Sequence, residues 1–353
     1  MLNIVIVLAI CTAPLAALYW RHYRTHIACR RYCKSNANLE GKTAIITGAS
    51  SGIGKATALD LARRGAQVIL GCCDLQQAQD AAEEIKVRTG NSKVVVRHLD
   101  LASLQSVREF ARKTIESEER LDILVNNAGV PDVGNENLFT KDNFHLVFGI
   151  NYFGHFLLTN LLLDLLKKSA PSRVITVASI AHSWETVPLD LTREDLSYKA
   201  GDTTVDVGRR PGASQDRARV LYPHLRTYGQ SKLAGILFSR ELARRLESTG
   251  VTSVTVHPGF VNTPIWQYFK CNLSMAVLYY TMWPIMWFLM IDEEAGAQTT
   301  LHCALDETVA KLPGRFFANC AVAQTSELAR DDEQAQRLWD ISCQATGIEE
   351  RSN

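Results

Sequence analysis

Residues 42–64, KTAIITGASSGIGKATALDLARR, restrict the possible folds more than any other stretch of the 353-residue chain. Lys42–Thr47 is a short β-branched run, the pattern of a strand buried on both faces of a parallel sheet. It leads directly into glycines at 48, 52 and 54, and these lead into a helical stretch that reaches Arg64. Strand, glycine turn and helix together aim backbone N–H groups and a helix N-terminus at a pyrophosphate. Glycine is needed because a Cβ would block the close approach. A glycine motif alone is weak, and its place between a strand and a helix strengthens it. The turn nominates Thr47, Gly48, Ser50, Ser51, Gly52, Ile53 and Gly54 as nucleotide contacts.

Further βα units follow. Gln67–Gly71, Val94–His98, Asp122–Val125 and Arg173–Val177 read as strands two to five, with a last strand near Arg315–Ala318. Helical stretches separate the early strands. This alternation implies an α/β fold, a Rossmann-type doubly wound parallel sheet with right-handed crossovers. Ligands on such sheets bind at the carboxyl ends of the strands. Thr47, Asp100, Asn126, Asn127 and Ser179 close these strands and should share one crevice. A helix cap or a turn explains any one of them alone, but explains the five together poorly.

Before the sheet comes a different kind of sequence. Residues 1–20 carry no charged side chain and are just long enough to cross a bilayer core of about 30 Å. Tyr19 and Trp20 end the run, and Arg21, Arg24, Arg30, Arg31 and Lys34 follow with no acid among them. Positive charge on that flank keeps the rest of the chain in the cytosol. The rival is a cleaved signal peptide and secretion, but no basic residue precedes the apolar run as a signal requires. The balance of 38 Lys+Arg against 37 Asp+Glu argues against nucleic acid as a partner. Nine cysteines, an odd number without zinc-type spacing, read as free thiols in a reducing compartment, and no metal site is expected. Cys29 and Cys33 near the apolar segment read as surface thiols rather than palmitoylation sites.

TGASSGIG (47–54), NNAG (126–129), Asn151 in GINYFG, Ser179 in VASI and Tyr228-x-x-x-Lys232 occur in this order from about residue 39 to 325. They resemble the motifs of the short-chain dehydrogenase/reductase family. HFLLTNLLLDLLKKSAPSRV, SKLAGILFSRELARRL and HPGFVNT are similar to its retinol dehydrogenase group, and GRFFANC and ARDDEQAQRLWD point to one branch of it. The resemblance implies that Tyr228 exchanges a proton with an alcohol or carbonyl and that Ser179 hydrogen-bonds the reacting oxygen. It also implies that Asn151 holds a water linked to Lys232, and that Lys232 grips the nicotinamide ribose. Helix geometry puts Tyr228 and Lys232 on one face, where an ammonium favours the phenolate and should draw its pKa below about 10. By the same carry-over Asp100 and Leu101 border the adenine, and Asn127, Ala128 and Gly129 the ribose and nicotinamide side. Pro258, Gly259, Val261 and Thr263 form the loop closing over nicotinamide. His257, just before that loop, reads as a packing residue.

The chain departs from the family pattern in two places. Cys72 stands where an acid would select NAD, Cys73 where an Arg would hold a 2′-phosphate, and Asp74 comes one residue later. NADP(H) is the expected cofactor, and NAD(H) is not excluded. Lys55 reads as an assisting cation or a solvated side chain. Tyr228 follows Ser179 by 49 residues, so an insert at 190–226 is either a lid over the substrate pocket or disordered. The apolar stretch 272–291, interrupted by Pro284, reads as a substrate region whose mouth dips into the bilayer, or as plain core. The expected layout is an anchor (1–20), a basic linker (21–38), one oxidoreductase domain (39–325) and a helical C-terminal tail (326–353). The expected activity interconverts a hydrophobic alcohol and its aldehyde or ketone, most simply retinol and retinal, at the endoplasmic reticulum membrane, with a homodimer possible. The alternatives are a steroid or fatty-aldehyde enzyme, or a non-catalytic nucleotide-binding membrane scaffold.

Overall fold

The computed structural model describes residues 30–132, 139–184, 189, 223–265, 280–281, 283 and 290–349. The anchor segment, most of the insert (190–222) and most of 272–289 lie outside these residues. The described chain forms an eight-stranded sheet in the order β3-β2-β1-β4-β5-β6-β7-β8. The strands are β1 (Thr43–Thr47), β2 (Gln67–Cys72), β3 (Val94–His98), β4 (Ile123–Asn126), β5 (Ser172–Val177), β6 (Val251–His257), β7 (Phe316–Ala318) and β8 (Ala321–Val322). All pairings are parallel except β7 with β8. The strand order reverses between β1 and β4, which places the crevice of a doubly wound sheet directly above the glycine turn.

Helices cover both faces of the sheet. On one side lie α1 (Gly52–Arg63) and α2 (Leu75–Thr89), which bury small residues such as Ala58 and Ala78 against β1 to β3, and α7 (Glu293–Leu305), which packs on α1 and on β5 to β7. On the other side lie α3 (Leu104–Ser117), α4 (Gly154–Leu161), α5 (Leu163–Lys168), α6 (Pro223–Arg245) and α8 (Asp332–Thr346). They enclose an aromatic cluster of Phe110, Tyr152, Phe156, Phe238 and Trp339. The α2 helix starts where the Asp74 carboxylate accepts the Gln77 N–H at 3.0 Å, and it stops at Gly90 with φ 71°.

The strands agree with the periodicity to within a residue or so, and the exceptions have physical causes. Asp122, expected as the first residue of the fourth strand, is instead a buried carboxylate. It accepts the Thr43 N–H at 2.9 Å and pairs with Lys42 at 3.0 Å and Arg120 at 2.6 Å. The β6 strand was not anticipated, because its Thr and Ser residues dilute the apolar signal. Even so, Thr252, Ser253 and Thr255 are all buried. The insert also ends earlier than expected, since α6 begins at Pro223. Cys33 is half-buried rather than a surface thiol. Its N–H donates to Gln298 Oε1 at 3.1 Å, and burial raises its thiol pKa.

The C-terminal tail is helical over α8 and belongs to the core. Trp339 stacks on Phe238 at 5.9 Å and meets Phe156 edge-on at 5.1 Å. The Ser342 hydroxyl donates to Leu338 O at 2.6 Å, so the Tyr152 phenol is the donor in its 2.8 Å bond to Ser342.

Candidate active site

The glycine turn is built around buried Thr47. Its hydroxyl oxygen accepts the N–H groups of Asn127 at 2.9 Å and Ala128 at 3.0 Å, which ties the end of β1 to the NNAG segment after β4. The Asn127 amide donates in turn to Thr47 O at 2.8 Å and Gly48 O at 3.3 Å. This packing accounts for the glycines. A Cβ on Gly54 would stand 2.5 Å from both Asn127 Nδ2 and Gly48 O, and one on Gly48, at φ 64°, would stand 2.9 Å from Ala128 Cα. Ser51 caps α1 in an extended conformation and spends no side-chain hydrogen bond on the helix, so its hydroxyl remains available at the N-terminus. Ser50 Oγ donates to Gln77 Oε1 at 2.8 Å.

One supporting residue escaped the motif reading. His155, on α4, is buried, and its Nε2 lies 2.8 Å from the Thr47 hydroxyl while Nδ1 lies 3.2 Å from Asn151 O. A carbonyl only accepts, so Nδ1 carries the proton and Nε2 takes the Thr47 O–H. Burial lowers the imidazole to about 4, so it is neutral. The signal was present in the sequence as a lone His inside the apolar GHFLLT run, one helical turn after Asn151. In the fold it joins the glycine turn to the Asn151 segment.

Asn151 lies in a π turn, Gly149–Phe153, just before α4. Its side chain accepts Val130 N–H at 2.8 Å and donates to Val130 O and Ser231 Oγ, each at 3.0 Å. Ser231 Oγ in turn donates to Tyr228 O at 2.8 Å, so Asn151 reaches the α6 helix that carries Tyr228 and Lys232. Ser179 follows β5, and it lines the same cavity as Tyr228, close enough to favour the phenolate. Lys232 Nζ is buried, lies 5.5 Å from the centre of the Tyr228 ring and donates to Val177 O at 3.0 Å. Asn151, Ser179, Tyr228 and Lys232 are therefore gathered into one site.

The electrostatics differ from the sequence expectation. Burial pushes Tyr228 up to about 12, and the nearby Ser179 hydroxyl only partly offsets it. Burial also draws Lys232 down to about 8. In the protein alone, desolvation of the phenolate outweighs what the neighbouring ammonium contributes.

A cavity of about 390 Å³ opens beside this cluster. Its walls include Ile53, Asn127, Gly129, Ser179, Tyr228, Lys232, Pro258, Gly259, Val261 and Thr263, and the remaining lining is largely apolar. His257 also forms part of the wall. Burial and nearby His182 lower it to about 4. Cys73 is exposed at the end of β2. Asp100, after β3, accepts the Ala102 N–H at 2.9 Å, next to buried Leu101. Strand order sets Asp100, Cys73, the glycine turn, Gly129 and Ser179 along one carboxyl edge. Asp74 is committed to capping α2, and Lys55 is ion-paired with Glu84 rather than solvated.

The profile described as short chain dehydrogenase matches residues 42–187 and 214–272. The chain belongs to this family. It is an oxidoreductase, an NAD(P)-dependent dehydrogenase/reductase, and its cofactor is a nicotinamide dinucleotide. Human Dehydrogenase/reductase SDR family member 13 is 44% identical over 316 residues, covering 90% of this chain and 76% of that relative. Human Retinol dehydrogenase 13 is 43% identical, covering 90% of this chain and 88% of its own length. Mouse (Mus musculus) Retinol dehydrogenase 11 is 40% identical, with 90% of each chain covered. Among solved structures, a putative uncharacterized protein from Mycobacterium Paratuberculosis superposes with a TM-score of 0.61 at 33% identity, covering 87% of this chain and 94% of that one. The Pseudomonas aeruginosa RhlG/NADP complex has the same fold, with a TM-score of 0.58 at 24% identity, covering 80% and 95%.

Proposed function

We propose that the protein is a membrane-anchored, NADP(H)-dependent oxidoreductase of hydrophobic alcohols and their aldehydes or ketones, with retinol and retinal the favoured pair. One observation carries the reading: a phenol and a strand-end serine share one wall of a largely apolar cavity, beside a buried ammonium. The glycine turn fits the dinucleotide, because it joins β1 to the N-terminus of α1 at the carboxyl edge of the sheet, and a Cβ at position 48 or 54 would break the packing that shapes it. Thr47, Gly48, Ser50, Ser51, Gly52, Ile53 and Gly54 would hold its phosphates, Asp100 and Leu101 its adenine. Asn127, Ala128, Gly129, Pro258, Gly259, Val261 and Thr263 would hold the nicotinamide end. The dinucleotide supplies the hydride chemistry.

The residues of the chain supply orientation and the proton. Ser179 hydrogen-bonds the reacting oxygen and aligns it with the Tyr228 phenol. At about 12, that phenol is protonated at neutral pH, which suits donation of a proton to a carbonyl and favours reduction. Lys232, at about 8, is mostly charged at pH 7 and would hold the nicotinamide ribose. Asn151 fixes the α6 segment through Ser231 and would hold a water linking Lys232 to solvent. Apolar walls exclude water and accept a retinoid, and would accept a steroid or fatty aldehyde by the same chemistry.

The cofactor preference rests on Cys72, where no acid repels a 2′-phosphate, while Cys73 brings no guanidinium to hold it. The charge-free residues 1–20 and the basic residues after them support an anchor in the endoplasmic reticulum membrane, with the domain in the cytosol. Among the described residues, no helix is long and apolar enough to cross a membrane. The α8 helix fills the apolar face of α6 around Phe238, so any homodimer forms through another surface. The decisive test is retinal reduction with NADPH by the full chain and by Tyr228→Phe. Turnover should fall by about 10²–10⁴-fold while nucleotide binding, read by nicotinamide fluorescence, is retained. Equal activity in both would reject the assignment.

A further inference from the structure

The two longest apolar runs of the sequence join the fold at one place. The charge-free N-terminal run enters the described chain at Arg30. The Arg30 guanidinium lies 3.4 Å from the point where a Cβ on Gly259 would stand. The second run leaves after Ile265, which lines the cavity, and returns at Met290. There Ile291 donates its N–H to Phe260 O at 2.9 Å and accepts the Asn262 N–H at 2.8 Å, beside Val261. Both runs therefore attach to the loop at 258–265, on the rim of the cavity.

That rim exposes apolar side chains to the outside. Ile180 is 49% exposed, Phe260 40% and Tyr32 55%. Arg31 and Lys34, both exposed, flank Tyr32 in the strap that crosses α7 and the β7–β8 turn. The strap is fixed to the domain. Arg31 N–H donates to Asn319 Oδ1 at 2.8 Å, Cys33 N–H to Gln298 Oε1 at 3.1 Å, and Ser35 Oγ to Leu305 O at 3.2 Å. Aliphatic side chains, an aromatic hydroxyl and adjacent cations are the composition of a surface seated at the headgroup boundary of an anionic bilayer. The ten residues from Trp20 to Arg30 span at most ~35 Å even when fully extended, so an anchor at 1–20 keeps this rim close to lipid.

We propose that the rim formed by Tyr32, Ile180 and Phe260, with Arg31 and Lys34, docks on an anionic phospholipid surface, so that the cavity opens into the bilayer. Substrate then enters and product leaves through lipid, without crossing bulk water. This rests on the anchored-oxidoreductase reading and adds an orientation to it. The fixed strap sets that orientation, since it ties the point of membrane exit to the cavity mouth.

The test uses the full chain in vesicles of phosphatidylcholine and phosphatidylserine. A photoreactive benzophenone side chain replaces Ile180 or Phe260. The control position is Ile115, which is 51% exposed in the last turn of α3, at the amino edge of the sheet and away from the carboxyl-edge rim. Phospholipid adducts are counted by mass spectrometry. Yields at positions 180 and 260 at least tenfold above position 115 are expected. Equal yields, or adducts to a second copy of the chain in place of lipid, overturn the proposal. A second measurement uses the paired variant Tyr32→Ser with Lys34→Glu, both outside the cavity. It should raise KM about threefold for a long-chain alcohol dissolved in the vesicles and leave KM for a short water-soluble alcohol unchanged. No rise, or an equal rise in both, overturns the docking face. A chain that turns over neither alcohol refutes the oxidoreductase reading, while the lipid adducts still decide the docking.

Discussion

Replacing His155 with Gln should change how stability depends on pH, and the size of the change follows from the geometry. His155 bridges the Thr47 hydroxyl and Asn151 O within the core, and burial holds its pKa at about 4 against an ordinary 6.5. The neutral form is therefore the folded form. Its contribution is complete above about pH 6.5 and is lost as pH falls toward 4, because the unfolded chain binds the proton first. With those two values, linkage gives a loss of about 2.5 kcal/mol at pH 4.5 and nearly none at pH 7.5. Gln does not titrate, but fits the two partners less well, leaving one of them unsatisfied at a cost of about 1–3 kcal/mol at any pH. The variant should thus be less stable than the parent at pH 7.5, and the gap should close or reverse by pH 4.5. Urea unfolding at half-unit steps between these limits, followed by far-UV circular dichroism in detergent, measures it. A gap that stays constant across the range would refute the neutral, single-tautomer assignment and the bridging role built on it.

Two further substitutions probe the cofactor edge. Cys73→Arg places a guanidinium at the exposed end of β2, and a charge-assisted bond to a 2′-phosphate is worth about 1.5–3 kcal/mol. NADPH should bind at least tenfold more tightly with NADH little changed, as read by nicotinamide fluorescence; equal changes in both would move the 2′ site elsewhere. Gly54→Ala drives a methyl to 2.5 Å from Gly48 O and Asn127 Nδ2, neither of which can retreat without breaking the turn. Dinucleotide binding should be lost while far-UV circular dichroism still reports the sheet, and retained affinity would contradict the cradle.

The glycine turn could be read from the sequence because its strand, turn and helix are contiguous, and Tyr228 and Lys232 because a helix places residues four apart on one face. Asn151 and Ser179 were read from their resemblance to the family's motifs. The parallel, doubly wound sheet follows from the βα alternation. The β6 strand was missed because its polar residues are buried by packing that the segment itself does not encode. Likewise the α8 helix looked like a tail, yet Trp339 and Ser342 complete the aromatic core beside the Asn151 turn.

The chain's sequence by itself determined the family and the parallel sheet and nominated the site residues, since motifs and βα alternation are written in contiguous stretches. Only the tertiary structure decided their protonation. Tyr228 stands at about 12 and Lys232 at about 8 because enclosure in an apolar site penalises both charges, and that enclosure is assembled from β5, β6, α6 and the loop at 258–265. The fold alone also decided that His155 joins the nucleotide turn to Asn151, and that the N-terminal strap meets the cavity rim. These contacts link residues up to 229 positions apart, between Arg30 and Gly259, and no local pattern records a distance of that kind.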